Sequence, residues 1–271
     1  MKPSLSYIIM TIFTTGLLFF ANTTYQHALN YEAIYTQLSK EEMMEEKMQN
    51  NPQKMVSELL GALLGEKIER PKKENKLELE KLHEQEKVQQ YLIYFSLLLS
   101  LSLLLYFILD KIIFLLYINI ASLISLAYGV LSPIFLVYVQ KELPLVGNVV
   151  LQFESNTLIS SIEKLFTQEN YFVGMVILVF SIFFPIVKTL FMISTLYLKN
   201  TLLDTITNAT TMLSKWSMTD VFVLSIFLIY LSSTKDGMIQ SEIEVGFYFF
   251  FIYVILSLIS SMIFKLNSNN N

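Results

Sequence analysis

Apolar and polar positions divide this chain into membrane-length runs joined by short polar turns, with one large charged interruption near the start. Five apolar stretches reach spanning length or come close to it: Tyr91–Leu109, Ile112–Val139, Tyr171–Leu198, Trp216–Leu231 and Val245–Phe264. A helix needs about 20 mostly apolar residues to cross the hydrocarbon core, where every backbone polar group must be satisfied internally. Leu5–Ala21, behind the lone charge of Lys2, is a sixth and shorter candidate. A short apolar core after one cation also fits a cleaved signal peptide. The exit reads Phe19-Phe20-Ala21-Asn22 and puts bulky Phe19 at the −3 position, so an uncleaved signal anchor is expected. The pattern predicts an all-α, polytopic helical membrane protein with six spans.

Between the first two spans lies a polar region, 22–90, and it holds most of the charge. Glu32 to Lys87 contains 13 of the 23 acids and 10 of the 19 bases. Tyr31–Gln49 reads as a solvated helix that ends at Asn50-Asn51-Pro52, since proline cannot continue a helix interior. Met55, Val56, Leu59, Leu60, Leu63 and Leu64 recur at helical spacing and predict a short amphipathic helix. Gly65 is placed to end it and Pro71 to start the next. From Glu74 nothing stops a helix before Asp110, so a long rod is expected to run from water into the membrane at Tyr91. Its plain reading is a charged coiled-coil spacer able to self-associate; its sharper reading is a docking platform.

Loop charges set the orientation. With a cytoplasmic N-terminus, the inner set carries Lys2, Lys111, Lys199, Lys215 and Lys265, and the outer short loops carry Lys141, Lys164 and Lys235. Five cations against three favours this topology. Asp110-Lys111 is then a tight inner turn and 22–90 lies outside. In the outer loop 140–170, Val146, Val149, Val150, Leu151 and Phe153 predict a strand pair around Gly147-Asn148. Thr157–Phe166 predicts an amphipathic helix, so the loop forms a small lid or rim.

Composition removes several kinds of chemistry. There is no cysteine, which excludes disulfides, thiolate metal sites and cysteine nucleophiles. His27 and His83 have no ligand-like spacing, and a net charge of −4 does not suggest a nucleic-acid partner. No nucleophile motif, zinc-binding helix motif, phosphate loop or dinucleotide fingerprint is present. Neither an enzyme nor a cofactor is expected.

Two charged side chains do fall inside spans, Lys188 and Asp220. Intramembrane charges are costly and usually functional. Lys188 follows Pro185 and lies ten residues before Leu198, roughly 15 Å from the inner end at 1.5 Å per residue. Asp220 lies about one turn inside the next, antiparallel span. The two can pair directly or through water; alternatively each snorkels to the inner interface and holds its helix in register. In Ile112–Val139, Asn119, Ser122 and Ser125 fall at steps of three on one face. They read either as interhelical glue or as the wall of a polar cleft.

The segment Trp216-Ser217-Met218-Thr219-Asp220-Val221-Phe222 resembles the W-S-M-x-D-V-F signature of the paraquat-inducible protein A (PqiA) family. Ser132-Pro133 near the end of a span, Ser181 to Lys188 with Pro185 between, and Gly237 followed by Gly246-Phe247-Tyr248-Phe249 resemble further family stretches in the same order. The likeness covers roughly Lys111–Lys265, one four-helix domain. It implies a bacterial inner-membrane, multi-pass protein linked to lipid movement between membranes through partner MCE proteins. Many relatives carry two such domains, each behind a cysteine-rich zinc ribbon, and this chain has neither the second domain nor the cysteines.

The expected organisation is therefore a signal anchor at 1–21, a charged helical region at 22–90, an additional transmembrane helix at 91–110, a PqiA-like domain at 111–265 and a disordered tail at 266–271. The resemblance implies a membrane subunit of an intermembrane lipid transport system, with phospholipid and an MCE-domain periplasmic protein as partners. Lys188, Asp220, Asn119 and Ser122 would form a polar cleft, framed by the family residues Pro133, Ser181, Pro185, Trp216, Ser217, Met218 and Phe222. The rival reading is a non-transporting membrane anchor or stress-response scaffold that acts through 22–90.

Overall fold

A computed structural model describes residues 3–49, 70–143, 147–197 and 239–268. It begins with one unbroken helix, α1 (Pro3–Gln49), of 47 residues and therefore about 70 Å long. Hydropathy changes at Asn22, but the helix does not. No proline intervenes between Pro3 and Pro52. The polar Thr23 and Thr24 turn their hydroxyls back onto the carbonyls of Phe19 and Phe20, at 2.8 and 2.7 Å. The boundary between the signal anchor and the charged region is thus a change of solvent within one helix. The expected amphipathic helix at Met55–Leu64 lies outside the described residues.

Helix α2 (Arg70–Leu103) returns antiparallel to α1, with Pro71 in its first turn as the sequence suggests. Buried positions on α1 step by four and three, Leu17, Ala21, Thr24, Ala28, Tyr31, Tyr35 and Leu38. That is the 3.5-residue seam of two helices wound together. Across it Phe20 meets Tyr91 and Tyr94, with ring centroids 6.5 and 5.9 Å apart. A 3-10 turn (Leu104–Phe107) and Asp110 then reverse the chain into α3 (Lys111–Leu131), as the Asp110-Lys111 pair predicts.

Helix α3 is shorter than the apolar run that contains it. Proline excludes the helical region for the residue before it, and Ser132 is accordingly extended (φ −79, ψ 156). The expected span Ile112–Val139 is therefore corrected: it is helix only to Leu131, and Pro133 opens strand β1 (Pro133–Leu143). Strand β2 (Gly147–Thr157) pairs antiparallel along the whole of β1, from Leu143↔Gly147 to Pro133↔Thr157. A third strand, β3 (Ile239–Ile243), pairs with the opposite edge of β1, Phe135 facing Ile243. The strand pair is longer than expected, and Gly147 and Asn148, read as its turn, pair with Leu143 and Glu142; the third strand is new. This small sheet caps one end of an otherwise all-α, polytopic bundle.

Thr157 caps α4 (Leu158–Thr167) through a reciprocal box with Ser160. The chain then turns through Glu169, whose φ of 63 is left-handed, into α5 (Tyr171–Leu178). A π-helical segment (Val179–Phe183) leads into α6 (Phe184–Tyr197). After β3, α7 (Val245–Ser268) runs back from the sheet end, and its helix includes residues 266–268 of the tail expected to be disordered. Among the described residues five helices are long and apolar enough to cross a membrane, matching five of the six expected spans. The sixth, Trp216–Leu231, lies outside the described residues.

One core joins α1, α2, α3 and α7. Leu17, Phe95, Phe114, Tyr117, Ile118 and Phe249 are all essentially inaccessible and belong to one cluster. Helices α3 and α7 approach at two glycines. A Cβ on Gly129 would sit 2.8 Å from the Phe250 nitrogen, and one on Gly246 would sit 2.6 Å from the Ser132 and Pro133 carbonyl oxygens. Small residues let membrane helices come this close.

Candidate functional site

Helix α6 owes its shape to Pro185, which donates no N–H and crowds the preceding turn. The backbone widens just ahead of it, and the Phe184 N–H reaches Val179 O in the five-residue step of a π-helix. Such bulges recur at functional sites. Ser181 is buried within this segment.

Three residues after Pro185, Lys188 is buried to 4% exposure, and its Nζ donates to Ser257 Oγ of α7 at 2.7 Å. Counting along the helices at 1.5 Å per residue puts Lys188 about 25 Å from Tyr171 and Ser257 about 18 Å from Val245. Helical side chains lean toward their own N-terminus, so the lysine stem spans that difference. The ammonium lies near mid-depth of the bundle and does not snorkel to an end. A hydroxyl seam accompanies it. Thr189 and Thr195 on α6 and Ser260 on α7 are buried, and Ser260 lies 3.8 Å from Met192 Sδ.

Asn119 of α3 is about 18 Å from Leu131 by the same count and so lies at the same depth as Ser257. Asn119, Ser122 and Ser125 are all buried, and each donates to its own helix: Asn119 to Leu115 O at 2.7 Å, Ser122 to Asn119 O at 2.8 Å, Ser125 to Ala121 O at 3.0 Å. Their donors are spent locally, and these residues contribute smallness as much as polarity. Pro133 sits at the sheet end, away from the lysine, as the corner that ends α3. Asp220 and the motif residues Trp216, Ser217, Met218 and Phe222 lie outside the described residues, and the pairing of Lys188 with Asp220 lies there with them.

The sequence reading overlooked Ser257. Its signal was the run Ser257, Ser260 and Ser261 in an otherwise apolar span, a polar face that mirrors the one noted on α3. It also overlooked Glu244, the half-buried residue just before α7, whose N–H donates to Ile134 O at 2.9 Å. Burial, with Glu242 and Glu32 nearby, pushes the Glu244 carboxyl up to about 7. On the rim formed by β2 and α4 the effect is opposite. Lys164 donates to Glu154 and Asn156, both at 2.7 Å, and holds the Glu154 carboxyl below its usual range. Among the described residues no three metal-ligating side chains gather.

The family model described as paraquat-inducible protein A matches residues 115–268, more than half of the 271-residue chain. The match begins inside α3 and ends with α7, which leaves α1 and α2 outside it. No curated protein and no solved structure matches the chain.

Proposed function

This chain belongs to the paraquat-inducible protein A family, and from that premise we propose that it is the membrane subunit of an intermembrane lipid transport system. It is a multi-pass membrane protein. In this reading it sits in the bacterial inner membrane and is not an enzyme. The sheet end faces the periplasm, where a partner of the MCE type exchanges phospholipid with it. The observation that carries the reading is the lysine at mid-depth, held across α6 and α7 by Ser257 beside a π-bulged, proline-containing helix. A buried ammonium is weak as a stabilising device and is well suited to attract a phosphate headgroup or to take part in proton movement. Asp220 of the signature motif is its proposed counter-charge.

The coiled-coil-like spacing of α1 is what the scaffold reading would use, and the two readings part in one experiment. Wild-type protein, captured from native membranes in lipid-preserving polymer discs, is expected to bring an MCE-domain protein and phospholipid with it. Lys188→Ala is expected to lose phospholipid and keep the partner. Capture of neither by the wild type, or equal phospholipid on the variant, would overturn the transport reading.

A further inference from the structure

The π-helical turn before α6 decides which side chain stands against Ser257. In an α-helix each residue turns the chain by about 100° and advances it by about 1.5 Å. Between Val179 and Phe183 the backbone uses one residue more, because the Phe184 N–H reaches past Phe180 to Val179 O. Every residue of α6 therefore stands one position short of its place in an uninterrupted helix. The position facing Ser257 is the one that Val187 would hold without the bulge. Lys188 fills it instead, with Nζ 2.7 Å from Ser257 Oγ. Pro185 is the reason for the extra residue. In a regular helix its ring would strike the carbonyl four residues back, that of Ser181, and it has no N–H to bond there. An alanine carries neither constraint.

The segment above the bulge is anchored. A Cβ on Gly174 of α5 would lie 3.4 Å from Leu165 Cβ and from Phe166 Cε1 of α4, so the longer side chains of Val173 or Met175 do not fit in its place. The Tyr171 ring also lies against Phe166, with centroids 6.2 Å apart. A change in the bulge must therefore appear as a turn of α6. Below the bulge Ile186, Leu190, Phe191 and Ser194 are exposed, and Lys188, Thr189, Met192 and Thr195 are buried. Without the extra residue each of these moves into the place its successor now holds. Thr189 then takes the exposed place of Leu190, and Phe191 the buried place of Met192. Val187 comes to face Ser257, and Lys188 turns about 100° away from it.

We propose that Pro185 is a positioning residue: by holding one extra residue in the turn before it, it sets the register in which Lys188, and not Val187, meets Ser257. The register stands whether or not the protein moves lipid. Its use in holding a phosphate headgroup rests on the transport reading above.

The absence of cysteine from the chain makes the test direct. Each residue from Ile186 to Thr195, Lys188 excepted, is replaced in turn by a nitroxide-labelled cysteine in the full-length protein in lipid discs, and oxygen accessibility reads the face. In the wild type, peaks are expected at Ile186, Leu190 and Ser194 and troughs at Thr189, Met192 and Thr195. Pro185→Ala, which favours the helix, should move the pattern one residue earlier, so that Thr189 becomes a peak and Ser194 a trough. Deleting the exposed Phe183 as well removes the extra residue and should return the wild-type pattern although no proline remains. A proline that only bends the helix gives no such rescue. Bound phospholipid is the second readout. Pro185→Ala should lose it to the level of Lys188→Ala. Adding Val187→Lys and Lys188→Val to Pro185→Ala, which returns the ammonium to Ser257, should restore it. A pattern that stays in place in Pro185→Ala, or that moves and does not return on deletion, overturns the assignment. A pattern that moves and returns while bound phospholipid stays constant upholds the register and overturns its part in the transport reading.

Discussion

The hairpin and the matched domain differ in the polar contacts that cross between their helices. In the hairpin one carboxylate gathers donors from two helices. Glu84 of α2 accepts from His27 Nδ1 at 2.7 Å and Asn30 Nδ2 at 3.4 Å on α1, and from Lys87 on its own helix at 3.2 Å. His27 also stacks on Tyr91, 5.3 Å away and nearly parallel. In the domain Asn119, Ser122, Ser125, Thr189 and Thr195 all return their donors to their own helices. Charge and ring contacts thus set the register of the hairpin where it leaves the apolar zone. Close backbone approach sets the register of the domain, so a charge that crosses between its helices stands out as a device for something other than packing. Lys188 to Ser257 is that crossing.

The largest effect that would break this contrast is expected at Lys188. If its charge serves a site shared with Asp220, Lys188→Ala strands the carboxylate at about 3–5 kcal/mol, and Asp220→Asn strands the ammonium at a similar figure. The double variant should then cost much less than the sum, as coupled sites do. Envelope integrity and bound phospholipid, read at matched protein levels, are the measurements. Strict additivity would reduce both residues to anchors and erase the distinction between the regions.

The hairpin should be separable from the domain. Leu82 is exposed on α2, so Leu82→Pro removes no core contact. It deletes one helical hydrogen bond and clashes with the preceding turn, at about 3 kcal/mol or more. Loss of the His27 to Glu84 contact is expected, seen as altered chemical shifts or faster amide exchange in α1, with α3 to α7 still assembled. Disappearance of the whole protein from the membrane would mean that the shared core of Leu17, Phe95 and Phe249 makes the two regions one folding unit.

Glycine substitutions sharpen the same comparison at lower cost. A methyl group at Gly246 would press on backbone carbonyls, which cannot swing aside, whereas one at Gly16 of the hairpin would meet only the far end of Leu98 at 2.9 Å. Gly246→Ala should lower thermal stability by about 1–3 kcal/mol, as overpacking does. Gly16→Ala should be near neutral, because better helix propensity offsets the contact. Equal losses at the two positions would show that the hairpin is as closely fitted as the domain.

Much of this architecture was legible because local signals agreed with it. Five of the spans, the reversal at Asp110, a strand pair in the loop around Gly147 and the amphipathic α4 each carry their own pattern, although the first strand opens at Pro133, inside the run read as a span. What escaped depends on distant partners. Strand β3, Ile239-Gln240-Ser241-Glu242-Ile243, has apolar residues only at its ends and gains its conformation by pairing with β1 a hundred residues earlier. The continuity of α1 escaped for another reason. Hydropathy marks where the surroundings change, and Asn22 and Thr23 mark that change without ending the helix. At the candidate site Lys188 was visible as a charge among apolar neighbours. Ser257 was not, because one hydroxyl in a membrane helix is ordinary until a lysine from another helix is found on it.

The smallest effect is expected at Glu169, and it should be a gain. The residue occupies the turn between α4 and α5, where Asn170 N–H reaches Leu165 O at 2.9 Å and Glu169 N–H reaches Phe166 O at 3.2 Å. These two bonds close a helix end that normally places glycine at the left-handed position. Glutamate holds it instead, at φ 63, where a Cβ crowds the following carbonyl at about 1–2 kcal/mol. Its side chain is exposed. Glu169→Gly removes the crowding and gives back part of the gain through the greater freedom of an unfolded glycine, leaving a net stabilisation of up to about 1 kcal/mol. Glu169→Val should move the other way, because a β-branched residue tolerates this conformation least. Thermal unfolding of the two variants beside the wild type measures both. Should glycine destabilise the protein, the carboxylate of Glu169 must contribute to this corner, and backbone geometry would no longer be what sets the shape of the domain there.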